Sequence, residues 1–206
     1  MFDEDNAIKI ILLGEAGTGK SNLINIYCNL KFNPNTTSNI TSAILEKEVV
    51  IGKILYLVKL YDTAGQEKFR SLNNLFIKDS KICIFVYDIS KPKTFNELDY
   101  WVNKVNELLG GEPILSVVAN KSDLKESVKK SEGEEYAKKI GASFYQMSAK
   151  NDKGGFEKFV NKLIEEFLRK NNIFGWEIIS KDDGRYEENL KISLQKSKKE
   201  DSLCNK

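Results

Sequence analysis

Gly14-Glu15-Ala16-Gly17-Thr18-Gly19-Lys20-Ser21 is the feature that most restricts what this chain can fold into. An apolar run, Ala7 to Leu13, leads into it, and Ser21 to Leu30 follows with helical character. The order is therefore strand, glycine loop, helix. The spacing fits the phosphate-binding pattern GxxxxGK[ST], in which backbone N–H groups wrap a β-phosphate and the helix N-terminus adds its positive dipole end. Lys20 brings a charge to the β- and γ-phosphates, and the Ser21 hydroxyl reaches Mg²⁺. A loop of this kind also serves nucleotide kinases and ATPases, so the reaction must be read from elsewhere in the chain.

The remaining pattern is strands alternating with helices. Leu45 to Ile51 and Ile54 to Tyr61 read as two strands joined at Gly52-Lys53, a hairpin. Ile82 to Tyr87 and Ile114 to Ala119 are short continuous apolar runs, as expected of strands buried on both faces. Phe95, Leu98, Trp101 or Val102, Val105 and Leu108 recur at helical spacing until Gly110-Gly111 and Pro113 stop them. Ala137 and Ile140 suggest another helix ended by Gly141, followed by a short strand at Ser143 to Met147. Phe156, Phe159, Val160, Leu163, Ile164 and Phe167 form one apolar helical stripe. The expected class is α/β: a three-layer sandwich with a mainly parallel six-stranded sheet, helices on both faces, and ligands at the carboxyl ends of the strands. One domain over 1–170 is expected. Lys181 to Lys206 is polar, charged and unpatterned, so 171–206 is expected to be a flexible tail.

Composition removes several function classes. The chain has no histidine, and its three cysteines, Cys28, Cys83 and Cys204, stand far apart. Zinc chemistry and histidine acid/base catalysis are thereby disfavoured, and Cys28 and Cys83 read as small buried hydrophobes. A net charge of +2 gives no argument for nucleic acid. There is no secretory leader pattern and no apolar stretch approaching the roughly 18 residues of a membrane span. The expectation is a cytoplasmic protein whose membrane contact, if it has one, comes through lipid or a partner.

Three further motifs narrow the ligand. In Asp62-Thr63-Ala64-Gly65-Gln66-Glu67, Asp62 ends a strand, ready to hold a Mg²⁺-bound water. Gly65 can offer its N–H to the γ-phosphate, and Gln66 can orient the attacking water. Asn120-Lys121-Ser122-Asp123 closes the strand from Ile114. A carboxylate at Asp123 accepts both the ring N–H and the amino group of guanine, a pairing adenine cannot offer, and sites built that way discriminate strongly. Ser148-Ala149-Lys150 ends the next strand, where an Ala149 N–H can reach the guanine oxygen. Each of the last two motifs is weak alone; four in order, each at a strand end, are not coincidence.

Across roughly Ala7 to Arg169 the chain resembles the Ras superfamily, and within it the Rab family. Tyr61-Asp-Thr-Ala-Gly-Gln-Glu-Lys-Phe-Arg-Ser-Leu72, Phe85-Val-Tyr-Asp-Ile-Ser90 and the spaced Phe95, Leu98 and Trp101 carry the Rab wording. The resemblance implies a monomeric GTP/GDP switch with Mg²⁺, slow hydrolysis and a role in vesicle traffic. It implies that Phe32 stacks on guanine opposite the Lys121 stem. It also implies partners, namely an exchange factor, a GTPase-activating protein and effectors, meeting switch I (33–45) and switch II (63–77). Ile44, Tyr61 and Phe76 would form the effector patch.

The chain departs from that family in three places. Ala16 stands where many relatives have glycine. The switch I position nineteen residues after Lys20 is Asn39, not threonine, so either Asn39 or Thr41 would serve the metal. The alternative function is a module that binds nucleotide with little hydrolysis or switching. Last, the sequence closes on Ser202-Leu-Cys204-Asn-Lys206, with one cysteine third from the end. Cys204 is the candidate for lipidation, outside the usual prenylation patterns.

Overall fold

The structure, a computed structural model, describes residues 7–30, 32, 43–51, 54–62, 75–109, 112–152 and 154–171. Six strands form one sheet: β1 (Ala7–Leu13), β2 (Ala43–Ile51), β3 (Ile54–Asp62), β4 (Ile82–Asp88), β5 (Ile114–Asn120) and β6 (Ser143–Gln146). Their spatial order is β2-β3-β1-β4-β5-β6. β2 runs antiparallel to β3, and every other pairing is parallel. Around the sheet stand α1 (Lys20–Tyr27), α2 (Pro92–Asn96), α3 (Leu98–Leu108), α4 (Lys130–Lys139) and α5 (Gly155–Lys170).

Parallel strands need crossovers, and crossovers put helices on both faces, so the central strands are apolar on alternate residues and on their neighbours too. In β1, Ile8, Ile10 and Leu12 join one core with Leu23 and Ile24 of α1 and the stripe of α5. Ile11 and Leu13, one residue out of phase, join the opposite core with Trp101, Val102 and Val105 of α3 and Ala137 of α4. β4 splits the same way, Ile84 and Val86 to the first core and Phe85 and Tyr87 to the second. This is the expected three-layer sandwich. On α5, Phe156, Phe159, Val160, Leu163, Ile164 and Leu168 are buried. At about 1.5–3 kcal/mol per side chain, docking that stripe contributes roughly 10 kcal/mol of gross transfer free energy.

Local departures from the expected elements have visible causes. The helical run read from Phe95 to Leu108 is two helices that meet at Glu97, where ψ opens to −4°. Pro92 sets the first turn of α2, and the break lets α3 aim Leu98, Trp101, Val102 and Val105 at the sheet. The helix predicted to reach Leu30 stops at Tyr27, because Asn29 takes a left-handed φ of 59° and turns the chain out. Leu30 is exposed. Cys83 is fully buried, and burial pushes its thiol up to about 12. Cys28, expected inside, is only half-buried at the margin of the α1–α5 core. The strand after Gly52-Lys53 pairs with β2 from Ile51↔Ile54 to Ala43↔Asp62, so β2 begins two residues earlier than the apolar pattern indicated. Gly65, Gln66, Asn39, Thr41, Cys204 and the tail expected beyond 171 lie outside the described residues.

Candidate nucleotide-binding site

The carboxyl ends of β1, β3, β4, β5 and β6 lie along one edge of the sandwich, and every described motif residue sits there. β1 delivers Gly14 at φ 143°, packed so closely on β4 that a β-carbon would collide with the Val86 carbonyl. Gly19, at φ 97°, is likewise pressed against the Asn120 side chain. The loop between them folds over its own lysine. Lys20 is 5% exposed, and its Nζ donates to the carbonyls of Gly14 at 2.8 Å and Glu15 at 2.9 Å. Thr18, fully buried, donates from Oγ1 to the Glu15 carbonyl at 3.0 Å and braces the same turn. Ala16 and Gly17 form its exposed outer rim.

Burial lowers the Lys20 pKa to about 8, against the opposing pull of the Asp62 and Glu15 charges. The consequence has a definite sign. Around pH 8–9 a fraction of Lys20 is neutral while it is held by the loop carbonyls, whereas polyphosphate oxygens favour the ammonium. Nucleotide binding near pH 8.5 should therefore take up a fraction of a proton that it does not take up at pH 6.5. Titration calorimetry in two buffers of different ionisation enthalpy reads this directly; equal proton uptake at both pH values would contradict it.

Ser21, in the first turn of α1, donates from Oγ to Oδ2 of Asp62 at 2.5 Å. Asp62 is itself 4% exposed at the end of β3. A hydroxyl that coordinates a cation must send its proton elsewhere, and this carboxylate receives it. Among the described residues no cluster of three or more His, Cys, Asp or Glu could hold a metal ion. Mg²⁺ does not need one, since it binds through one or two protein oxygens, phosphate oxygens and water. The Ser21–Asp62 pair fits that ion.

The base side is organised by Asn120, 1% exposed at the end of β5. Its Nδ2 donates to the Thr18 carbonyl at 2.8 Å. Its Oδ1 accepts from the N–H of Lys121 at 2.8 Å and of Ala149 at 3.1 Å. One side chain thus joins the phosphate loop to both loops expected at the base. The Ala149 N–H, expected to face the guanine oxygen, is engaged here with Asn120. Lys121 holds a left-handed φ of 67° and donates from Nζ to the Gly17 carbonyl at 2.5 Å. Ser122 donates its N–H to the Met147 carbonyl at 3.0 Å, drawing the two base loops together. Asp123 is exposed, and its Oδ1 accepts from the Ser148 hydroxyl at 2.5 Å. Asp123, Met147 and Ser148 help line a cavity of about 450 Å³ that extends along β6 to the start of α5. Lys150 is exposed beside it. Phe32 is half-buried and packs against the core between α1 and α5.

Two features escaped the sequence reading. Asp88, at the end of β4, is fully buried and pairs with Lys121 at 2.7 Å. The rule that ligand groups gather at strand ends singles it out, because Asp88 and Asn120 are cross-strand neighbours. The second is Leu75, 67% exposed and the chain neighbour of Phe76, whose ring meets that of Tyr61 (centroids 5.7 Å apart); Ile44, the strand partner of Tyr61, is exposed too. Leu75 enlarges the apolar patch expected from Ile44, Tyr61 and Phe76.

Residues 9–169 match the model of the Ras family. Among curated relatives, the Ras-related protein Rab-21 of Homo sapiens is 38% identical over 164 residues, covering 77% of this chain and 73% of that protein. The Ras-related protein SEC4 of Saccharomyces cerevisiae is 37% identical over 174 residues, 83% of this chain and 81% of that protein. The Ras-related protein Rab-7b of Paramecium octaurelia is 35% identical over 152 residues, 69% and 73% of the two chains. Likeness of this extent runs through the whole sheet and through both sets of loops that Asn120 joins, and it makes the chain a member of the Ras superfamily, a small GTPase of the Rab family.

Proposed function

We propose that the chain is a GTP/GDP switch of intracellular membrane traffic that binds guanine nucleotide with Mg²⁺ and hydrolyses GTP slowly. The observation that carries this reading is the Asn120 side chain, which holds phosphate loop and base loops in one register. Lys20 exchanges its two carbonyl partners for β- and γ-phosphate oxygens, and the loop N–H groups complete the cradle. Asp123 accepts the two donors on the guanine edge, and Phe32 and the Lys121 stem face the ring. Ser21 and Asp62 would hold Mg²⁺, the latter through water, with Asn39 or Thr41 joining from switch I. When bound, the ion neutralises charge that builds on the phosphate oxygens during transfer. Gln66 orients the attacking water, with Gly65 donating to the γ-phosphate, and regulators and effectors read switch I and switch II.

Single-turnover hydrolysis of GTP by the full chain, with Mg²⁺ and with the ion chelated, tests this. A slow Mg²⁺-dependent rate is expected, and Gln66→Leu should lower it by about tenfold or more, in line with loss of a water-positioning group. A rate indifferent to Gln66→Leu would leave a binding module rather than a switch. ATP co-purifying in place of guanine nucleotide would overturn the role given to Asp123.

A further inference from the structure

Base recognition through Asn120 to Asp123 does not explain what keeps Lys121 in place. Its backbone sits at φ 67°, a conformation that a non-glycine residue keeps only when its surroundings enforce it. Its side chain carries rotamer freedom that a free lysine would lose each time it walled in a base. Two contacts remove that freedom in advance. The ammonium donates to the Gly17 carbonyl at 2.5 Å, and it pairs with Oδ2 of Asp88 at 2.7 Å.

Asp88 is built to be the fixed member of that pair. It is fully buried at the end of β4. Its Oδ1 accepts from the Ser90 N–H at 2.9 Å and the Ser90 hydroxyl at 2.6 Å. Its own N–H donates to the Thr94 hydroxyl at 3.0 Å, and its carbonyl accepts from the Lys91 N–H at 2.9 Å. Burial pushes its carboxyl upward, but Lys121 and the two Ser90 bonds outweigh that and hold it below the ordinary carboxylate range. It is ionised at neutral pH. A buried carboxylate is costly without a cationic partner, so Lys121, which is only partly buried, is drawn to it and not the reverse. The lysine stem is thereby stretched between the end of β4 and the phosphate loop as a preset wall of the base site.

We propose that Asp88 is a positioning residue that fixes Lys121 and through it sets how long guanine nucleotide stays bound. This rests on the guanine-nucleotide reading above. The pair also joins the base wall to Gly17, so the same contact that orients the base braces the phosphate loop.

The test is release of a fluorescent GDP analogue from the full chain with Mg²⁺, chased with excess GDP. Asp88→Asn keeps an acceptor for the Ser90 N–H and removes the charge, and it should speed release about tenfold, the effect of losing one charge-assisted bond of about 1.5 kcal/mol. Lys121→Met keeps the stem, removes the ammonium and should speed release to a similar degree. The deciding measurement is the double variant. If Asp88 acts through Lys121, Asp88→Asn adds nothing in the Lys121→Met background, or slows release by removing an unpaired buried carboxylate. A full tenfold effect in that background, or none in the wild-type background, overturns the proposal. Ser90→Ala covers the case in which Asp88→Asn does not fold. It should speed release two- to threefold with Lys121 present and not at all with Met at that position, and an equal effect in both backgrounds overturns the proposal. Wild-type chain that takes up no GDP analogue would instead remove the nucleotide reading itself.

Discussion

Asn120→Ala is expected to weaken GDP binding by about a thousandfold, to be read by equilibrium titration of a fluorescent analogue. The side chain makes three hydrogen bonds in a buried setting, to Thr18, Lys121 and Ala149. Each contributes about 1 kcal/mol net, and a single partner left buried without a substitute adds about 1 kcal/mol to those three. A total of about 4 kcal/mol is a factor of roughly a thousand at 1.4 kcal/mol per decade. The loss falls on binding because the bonds join loops, not strands. The sheet pairing of β5 with β4 and β6 does not use this side chain. Retention of GDP within about tenfold of wild type would mean that the loops hold their register without it.

Gly14→Ala is expected to act mainly on stability. At φ 143° an added methyl is strained, and it also lands on the Val86 carbonyl, a backbone atom within a strand paired on both sides. Strain at such a position costs about 1–3 kcal/mol, and overpacking costs a similar amount. A combined loss of about 4 kcal/mol corresponds to a fall of about 10 °C in the thermal midpoint for a chain of this size, readable by circular dichroism. A midpoint within about 3 °C of wild type would show that β1 and β4 separate there at little cost.

Much of the site was legible before the fold was known, and the reason is chemical. Phosphate needs glycines and a lysine at fixed spacing, and guanine needs a carboxylate one turn beyond a buried amide. Gly14 to Ser21 and Asn120 to Asp123 therefore announce themselves as short words. The strands were legible because both faces of β4 and most of β1 and β5 are buried, leaving runs that are apolar apart from Lys9 in β1 and Ser116 in β5. Less legible were places where the chain changes direction for the sake of packing. Nothing around Glu97 marks the break between α2 and α3, because no glycine or proline stands there; Pro92 opens α2 five residues earlier. Asn29 in a left-handed conformation ended α1 while the apolar pattern ran on to Leu30.

The sequence alone thus supplied the candidate ligand groups: a phosphate-loop pattern, Ser21 and Asp62 proposed for Mg²⁺, and Asp123 proposed for guanine. The tertiary structure decided how these are held. Asp88 precedes Lys121 by thirty-three positions, and only the parallel register of β4 beside β5 brings their loops side by side. The same is true of Asn120, whose amide reaches Thr18 across the sheet edge, and of Lys20, whose pKa falls because the loop closes over it. Local residue type fixes which groups can bind, but desolvation and pairing depend on what the fold places next to them.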